Sequence, residues 1–196
     1  MSEPEITVVI PTYNVAGFVL PCLTSVIAQT HGRWRCIVVD DGSTDATAAR
    51  VRSLDDSRIT LVQQANAGVS VARNHGLSLA IGDHVMFLDG DDVLHPTALA
   101  RLAAALAARP TAVAAFGTFL KILPGGAPYP GQKPLARHLY PDGDVLETML
   151  RGNFLANGGH VLIRTEAARA LGGFDSGIRL SEDWEFWCRL AARGEF

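Results

Sequence analysis

The stretch "HVMFLDGDDVLHP", residues 84–96, decides how the rest of the chain is read. Its first half is an unbroken apolar run, as expected of a strand covered on both faces of a parallel sheet. Its second half crowds Asp89, Asp91 and Asp92 into four positions at the strand end. Carboxylates this close repel one another unless a cation, N–H donors or open water compensates them. An Asp-Gly turn running into a helix at Pro96 accounts for one or two of these acids, and three are harder to excuse. Hard oxygen ligands at this spacing suit Mg2+ or Mn2+, which take one or two carboxylates and complete their shell with phosphate oxygens and water.

Outward from this stretch, strand and helix signals alternate. "ITVVI" (6–10), "RCIVV" (35–39) and "RITLV" (58–62) are further short β-branched runs. Segments of helical length and period lie between them at 18–27, 45–54 and 69–80. Such alternation implies βαβ units and a mostly parallel sheet flanked by helices, a Rossmann-like α/β layer. After residue 96, Leu99, Leu102, Ala103 and Leu106 recur at helical spacing. A Pro- and Gly-rich loop over 124–144 follows, then a short helix at 145–150, a strand "HVLIR" (160–164), a helical turn after Thr165, and a last helix with Ser181 as its N-cap.

Composition bounds the class. The 196 residues are 48% hydrophobic and 19% charged, which suits one soluble α/β domain over 1–196, with residues 1–95 and 96–196 as its two halves. A net charge of −3 and the lack of a basic patch argue against nucleic acid as a partner. The start "MSEPEITVVIPTYN" has acids where a signal peptide has lysines, and the most apolar region is broken by Arg101, Arg109 and Pro110, so no transmembrane segment is expected. Cys22, Cys36 and Cys188 are scattered, which fits a reduced, cytoplasmic protein. The chain stops at Phe196 soon after the last helical pattern, as a chain cut short would.

Ligands of open α/β sheets bind at the carboxyl ends of the strands. The first strand delivers Pro11, Thr12, Tyr13 and Asn14 to that edge, the second Asp40 and Asp41, and the fourth the acids of 89–92. In "VVDDGSTD", a turn at Asp41-Gly42 and a cap from Ser43 or Thr44 explain residues 42–45. They leave Asp40 unexplained, on a buried strand and with no local donor to satisfy, free to accept from the ring N–H of a base such as uracil. Arg73 of "ANAGVSVARNHG" reads in isolation as a solvated helix residue; pointed at the strand-end edge it is a counter-charge for a diphosphate. In "RLSEDWEFWCRLAARG", Glu182 and Asp183 suit the first turn of a helix, with Trp184, Trp187 and Leu190 as its buried stripe. Two of the three tryptophans beside an acid pair are also what a sugar-binding site tends to show.

The ordered set "VVIPTYN", "VVDDGSTD", "NAGVSVARNHG", "FLDGDDV", "GGFD" and "SEDWEFWCRL" resembles the inverting glycosyltransferases of family 2, which have the GT-A fold. The resemblance implies that Pro11, Thr12 and Tyr13 pack around a nucleotide base whose ring N–H Asp40 reads. It implies that Arg73 lies near the nucleotide, that Asp89 serves ribose or metal, and that Asp91 holds Mg2+ or Mn2+. Asp183 matches the catalytic base, with Glu182 and Trp184 on the acceptor side. The implied donor is a nucleoside-diphosphate sugar, UDP-linked by preference. The implied acceptor is a saccharide or glycolipid, with the protein in the cytoplasm or peripherally at the inner face of the membrane. His138 and His160 add no convincing metal ligand, a lone histidine being more often structural.

Two rivals stand beside this reading. "FLDGDDV" also satisfies the pattern of haloacid-dehalogenase-like phosphohydrolases, with Asp89 as nucleophile. That fold, however, places this strand first and needs a downstream lysine, for which only Lys121 and Lys133 are available. The second rival is a donor-binding module that transfers nothing.

Overall fold

A computed structural model describes residues 3–123, 125–131, 141–155 and 158–196. Three parallel strands begin it: β1 (Ile6–Thr12), β2 (Trp34–Asp40) and β3 (Ile59–Gln63). They are joined by helices α1 (Val19–Ile27) and α2 (Thr47–Arg52). Helix α3 (Val69–Leu79) leads to β4 (His84–Phe87), which returns to pair with the other side of β1. Then come α4 (Ala98–Ala108), β5 (Ala114–Phe116), α5 (Leu146–Arg151), β6 (Val161–Arg164), α6 (Thr165–Ala170) and α7 (Glu182–Ala191). The sheet order is β3-β2-β1-β4-β6-β5, with β6 antiparallel to both neighbours.

The sheet is mostly parallel, as its apolar runs imply; β1, β4 and nearly all of β2 are buried, while β3 at the edge is only partly covered. Val8, Ile10, Met86 and Leu88 face a layer that includes α1 and α4, while Val9, Val85 and Phe87 face α3, α5, α6 and α7. Leu99, Leu102, Ala103 and Leu106 of α4 are all buried, as their spacing predicts. Helix α3 lies close on β1 at Gly76, where a Cβ would run into the Val9 side chain. Strand β5 is not visible in the sequence: three alanine-rich residues carry little β-propensity, and pairing with β6 makes the strand.

Two local expectations are corrected. Ser181 does not cap α7 through its side chain; it adopts a left-handed conformation (φ 60°) and the helix starts without a side-chain cap. Neither Ser43 nor Thr44 caps α2. They close the β2–α2 turn onto Asn14 instead: the Ser43 hydroxyl accepts from Asn14 N at 3.0 Å, and Thr44 N donates to Asn14 Oδ1 at 2.8 Å. The loop expected at 124–144 falls partly outside the described residues, as do Lys133 and His138.

Candidate functional site

The carboxyl edge of β1, β2 and β4 gathers the strand-end residues. Pro11 lies within β1 without costing the ladder a hydrogen bond. By alternation its backbone faces the β4 side, beyond the last β1–β4 pair at Val9 and Phe87. Thr12 is buried and donates its hydroxyl to Val39 O at 3.3 Å, and its own carbonyl accepts from Asp41 N at 2.8 Å. The chain then leaves the sheet, so the Tyr13 ring is 50% exposed at the rim.

Asp40 and Asp41 are both buried, and each has a set of donors. Asp40 accepts from Ser43 N (3.1 Å) and from Gln63 Nε2 (2.9 Å), which corrects the expectation that it lacks local donors. Asp41 accepts from Gln64 Nε2, Ala67 N and Gly68 N at 2.7–2.9 Å. From sequence Asp41 is a strand-end acid and part of the turn at Asp41-Gly42. In the structure its carboxylate holds the loop that enters α3, a function signalled only by the donors of a distant segment.

At the end of β4, the turn through Asp89, Gly90 and Asp91 packs on the end of β1. A Cβ on Gly90 would lie 2.9 Å from Thr12 Cγ2 and 3.3 Å from Pro11 O, so only glycine lets the two strand ends approach this closely. Asp89 is partly exposed, Asp91 is exposed, and Asp92 N closes the turn onto Asp89 O at 3.0 Å. Among the described residues no three His, Cys, Asp or Glu side chains are arranged to hold a metal ion by themselves. An exposed carboxylate beside a half-shielded one, both hard oxygen donors, fits a Mg2+ or Mn2+ that takes its remaining ligands from phosphate and water.

Arg73 ties this turn to the far end of the sequence. It is buried, not solvated as a charged helix residue usually is. Its Nη2 donates to Asp89 Oδ1 at 2.9 Å and its Nη1 to Glu182 Oε1 at 2.9 Å. The guanidinium also lies 5.1 Å from the centre of the Phe174 ring, that of the "GGFD" segment. Phe174 in turn stacks on Phe186 at 4.2 Å and meets Phe87 edge-on at 4.8 Å, which seats α7 on β4.

Asp183 follows Glu182 in the first turn of α7. Burial raises its carboxyl above the usual aspartate range, the neighbouring Glu182 charge adds to this, and the Trp184 N–H and Arg73 oppose it. Trp184 is half-buried, its indole N–H donating to Met149 O at 2.7 Å, while Trp187 is wholly in the core. His160 is buried with neither ring nitrogen bonded, and burial lowers its pKa to about 4.

A mostly parallel sheet with this strand order and acids along its carboxyl edge has the GT-A architecture. The chain aligns with S. aureus TarS 1-349, solved in complex with UDP, at a TM-score of 0.77 and 22% identity, covering 97% of this chain and 56% of that one. It aligns with the mannosyltransferase PcManGT from Pyrobaculum calidifontis, solved with GDP-Man and Mn2+, at 0.72 and 25% identity, covering 97% and 52%. The model of the family described as glycosyl transferase family 2 matches residues 7–171, and the chain belongs to that family. The glycosyltransferase GlyA of Streptococcus pneumoniae serotype 4 is 44% identical over 92 residues, 46% of this chain and 13% of GlyA. The uncharacterized protein y4gI of Sinorhizobium fredii is 30% identical over 196 residues, 97% of this chain and 20% of y4gI. The chain therefore spans less than two thirds of the length of each of these relatives. No helix among the described residues is long and apolar enough to cross a membrane.

Proposed function

We propose that the chain is the donor-binding and catalytic unit of an inverting, metal-dependent glycosyltransferase that moves a sugar from a nucleoside diphosphate, UDP by preference, to an acceptor hydroxyl. The observation that carries this reading is the Arg73 bridge. One buried arginine joins the strand-end acid Asp89 to Glu182, the immediate neighbour of Asp183. The segments this reading takes as donor site and base thus meet at one edge. Family membership displaces the phosphohydrolase alternative.

In this reading residues 1–95 hold the donor. Pro11, Thr12 and the exposed Tyr13 surround the base, Asp40, already held by Ser43 N and Gln63 Nε2, would read its ring N–H with a remaining lone pair, and Asp89 serves the ribose or shares the metal. Arg73, near the nucleotide, offsets the negative charge that Asp89 would otherwise turn toward the diphosphate. Asp91, with Asp89, would hold Mg2+ or Mn2+, which when bound offsets the charge of the departing diphosphate. Residues 96–196 form the acceptor side, with Glu182 and Trp184 near a saccharide or glycolipid. Asp183 takes the proton of the acceptor hydroxyl as that oxygen bonds to the anomeric carbon. The bond from that carbon to the diphosphate breaks on the opposite face, so the configuration inverts. A carboxyl raised above the usual aspartate range is a stronger base toward the acceptor proton. In this reading the reaction runs in the cytoplasm, with a glycolipid acceptor at the inner face of the membrane.

Thermal unfolding with UDP or GDP, with and without Mn2+, tests this directly. Ligand at about a hundred times its dissociation constant should stabilise the fold by about 2.7 kcal/mol, and Asp91→Asn should remove the metal-dependent part. No shift with either nucleotide overturns the reading.

A further inference from the structure

Glu182 stands next to Asp183, yet its carboxylate is turned toward α3. Its side chain is 15% exposed and that of Arg73 only 6%, so the pair lies largely out of water, where Coulomb attraction is weakly screened. Arg73 is itself held in one orientation. Asp89 takes its second amino group, and the ring of Phe174 lies under it. Asn74, the next residue of α3, fixes the Phe174 backbone twice: its Nδ2 donates to Phe174 O at 2.7 Å and its Oδ1 accepts from Phe174 N at 2.8 Å. The start of α7, by contrast, has no side-chain cap, because Ser181 is left-handed and makes no cap bond. Besides the Phe174–Phe186 stack, this helix end is held by a pair of tethers on the residues flanking Asp183. Glu182 is tied to Arg73 on one side, and the Trp184 indole to Met149 O of α5 on the other.

We infer that Glu182 is a positioning residue: through its ion pair with Arg73 it fixes the first turn of α7, and with it Asp183, against the strand end that carries Asp89. A glutamate placed there only to favour the helix dipole would need no partner 109 residues away. A glutamate placed there only to touch an acceptor would not be turned into a dry guanidinium. The inference rests on the transferase reading, and it gives the first acid of the "ED" pair a task separate from proton transfer. Small displacements of a catalytic group cost rate without costing donor affinity, which is the signature to look for.

The test is a double-mutant cycle of Glu182→Gln and Arg73→Lys. Each protein is given UDP-GlcNAc or GDP-Man with Mn2+, whichever shifts the wild type more, and release of UDP or GDP is followed at steady state. Glu182→Gln should lower kcat about tenfold while KM for the donor stays within about twofold. Added to Arg73→Lys, it should cost less than about a further twofold, since the glutamate acts through the arginine. If Glu182→Gln fails to fold, Glu182→Asp, which keeps the charge but withdraws it by one methylene, enters the same cycle. An unchanged kcat, a loss confined to KM, or two fully additive losses in an otherwise active enzyme overturns the inference alone. A wild type that neither binds nor turns over these donors overturns the transferase reading and the inference together.

Discussion

Gly90 shows how much of the site depends on one missing side chain. The turn between Asp89 and Asp91 sits on the β1 end because nothing fills the space between Gly90 and Thr12. Gly90→Ala should cost about 1–3 kcal/mol by overpacking, with Tm as the measure, and should weaken nucleotide binding in proportion as the acids are pushed off the β1 end. Asp40 makes a contrasting case. Its place at the strand end is legible from "VVDD", but its two donors are not, because Gln63 sits at the end of the neighbouring strand and only the register brings the two together. The buried state of Arg73 was equally hidden. Helical spacing says that it lies on α3, while its two carboxylate partners come from β4's end and from α7, 16 and 109 positions away.

The elements themselves divide by how local their cause is. Strands β1, β2, β3, β4 and β6 could be read from β-branched apolar runs, and α1, α3 and α4 from helical periodicity, because those signals lie within each segment. Strand β5 and the antiparallel direction of β6 could not, because both are set by pairing partners rather than by the residues themselves. The start of α7 misled for a related reason: a serine before two acids has the look of a cap, but the anchoring contacts come from α3 and α5. Ser181→Ala should therefore change stability by less than about 0.5 kcal/mol, whereas loss of a true side-chain cap costs about 1 kcal/mol. Chemical denaturation distinguishes the two, and a loss of the larger size would restore the cap.

Across the whole molecule, one six-stranded sheet runs through both halves of the chain, from β3 at one edge to β5 at the other. Stability and function are therefore measured on the same cooperative core. His160 gives that core a pH limit. Its folded pKa is lowered to about 4 from the ordinary 6.5, so between these values the unfolded chain binds the proton and the native state does not. Its contribution is complete above about pH 6.5 and is lost as pH falls toward and through about 4. Wild-type Tm should fall across that window, and His160→Phe should fall less steeply; identical slopes would assign the acid sensitivity to other groups.

The central claim is that Asp183 is the base of a sugar-nucleotide site built on the carboxyl edge of this sheet. The direct measurement compares wild type with Asp183→Asn in donor binding by thermal shift with UDP and Mn2+, and in donor turnover as a function of pH. Because burial raises the Asp183 carboxyl, wild-type turnover should fall as pH drops through a value above the ordinary aspartate range. Asp183→Asn should keep the thermal shift, lose about 10²- to 10⁴-fold in turnover, and lose that acid limb. Equal turnover by the two proteins, or a wild type that binds the donor and never releases UDP from it, would contradict the account.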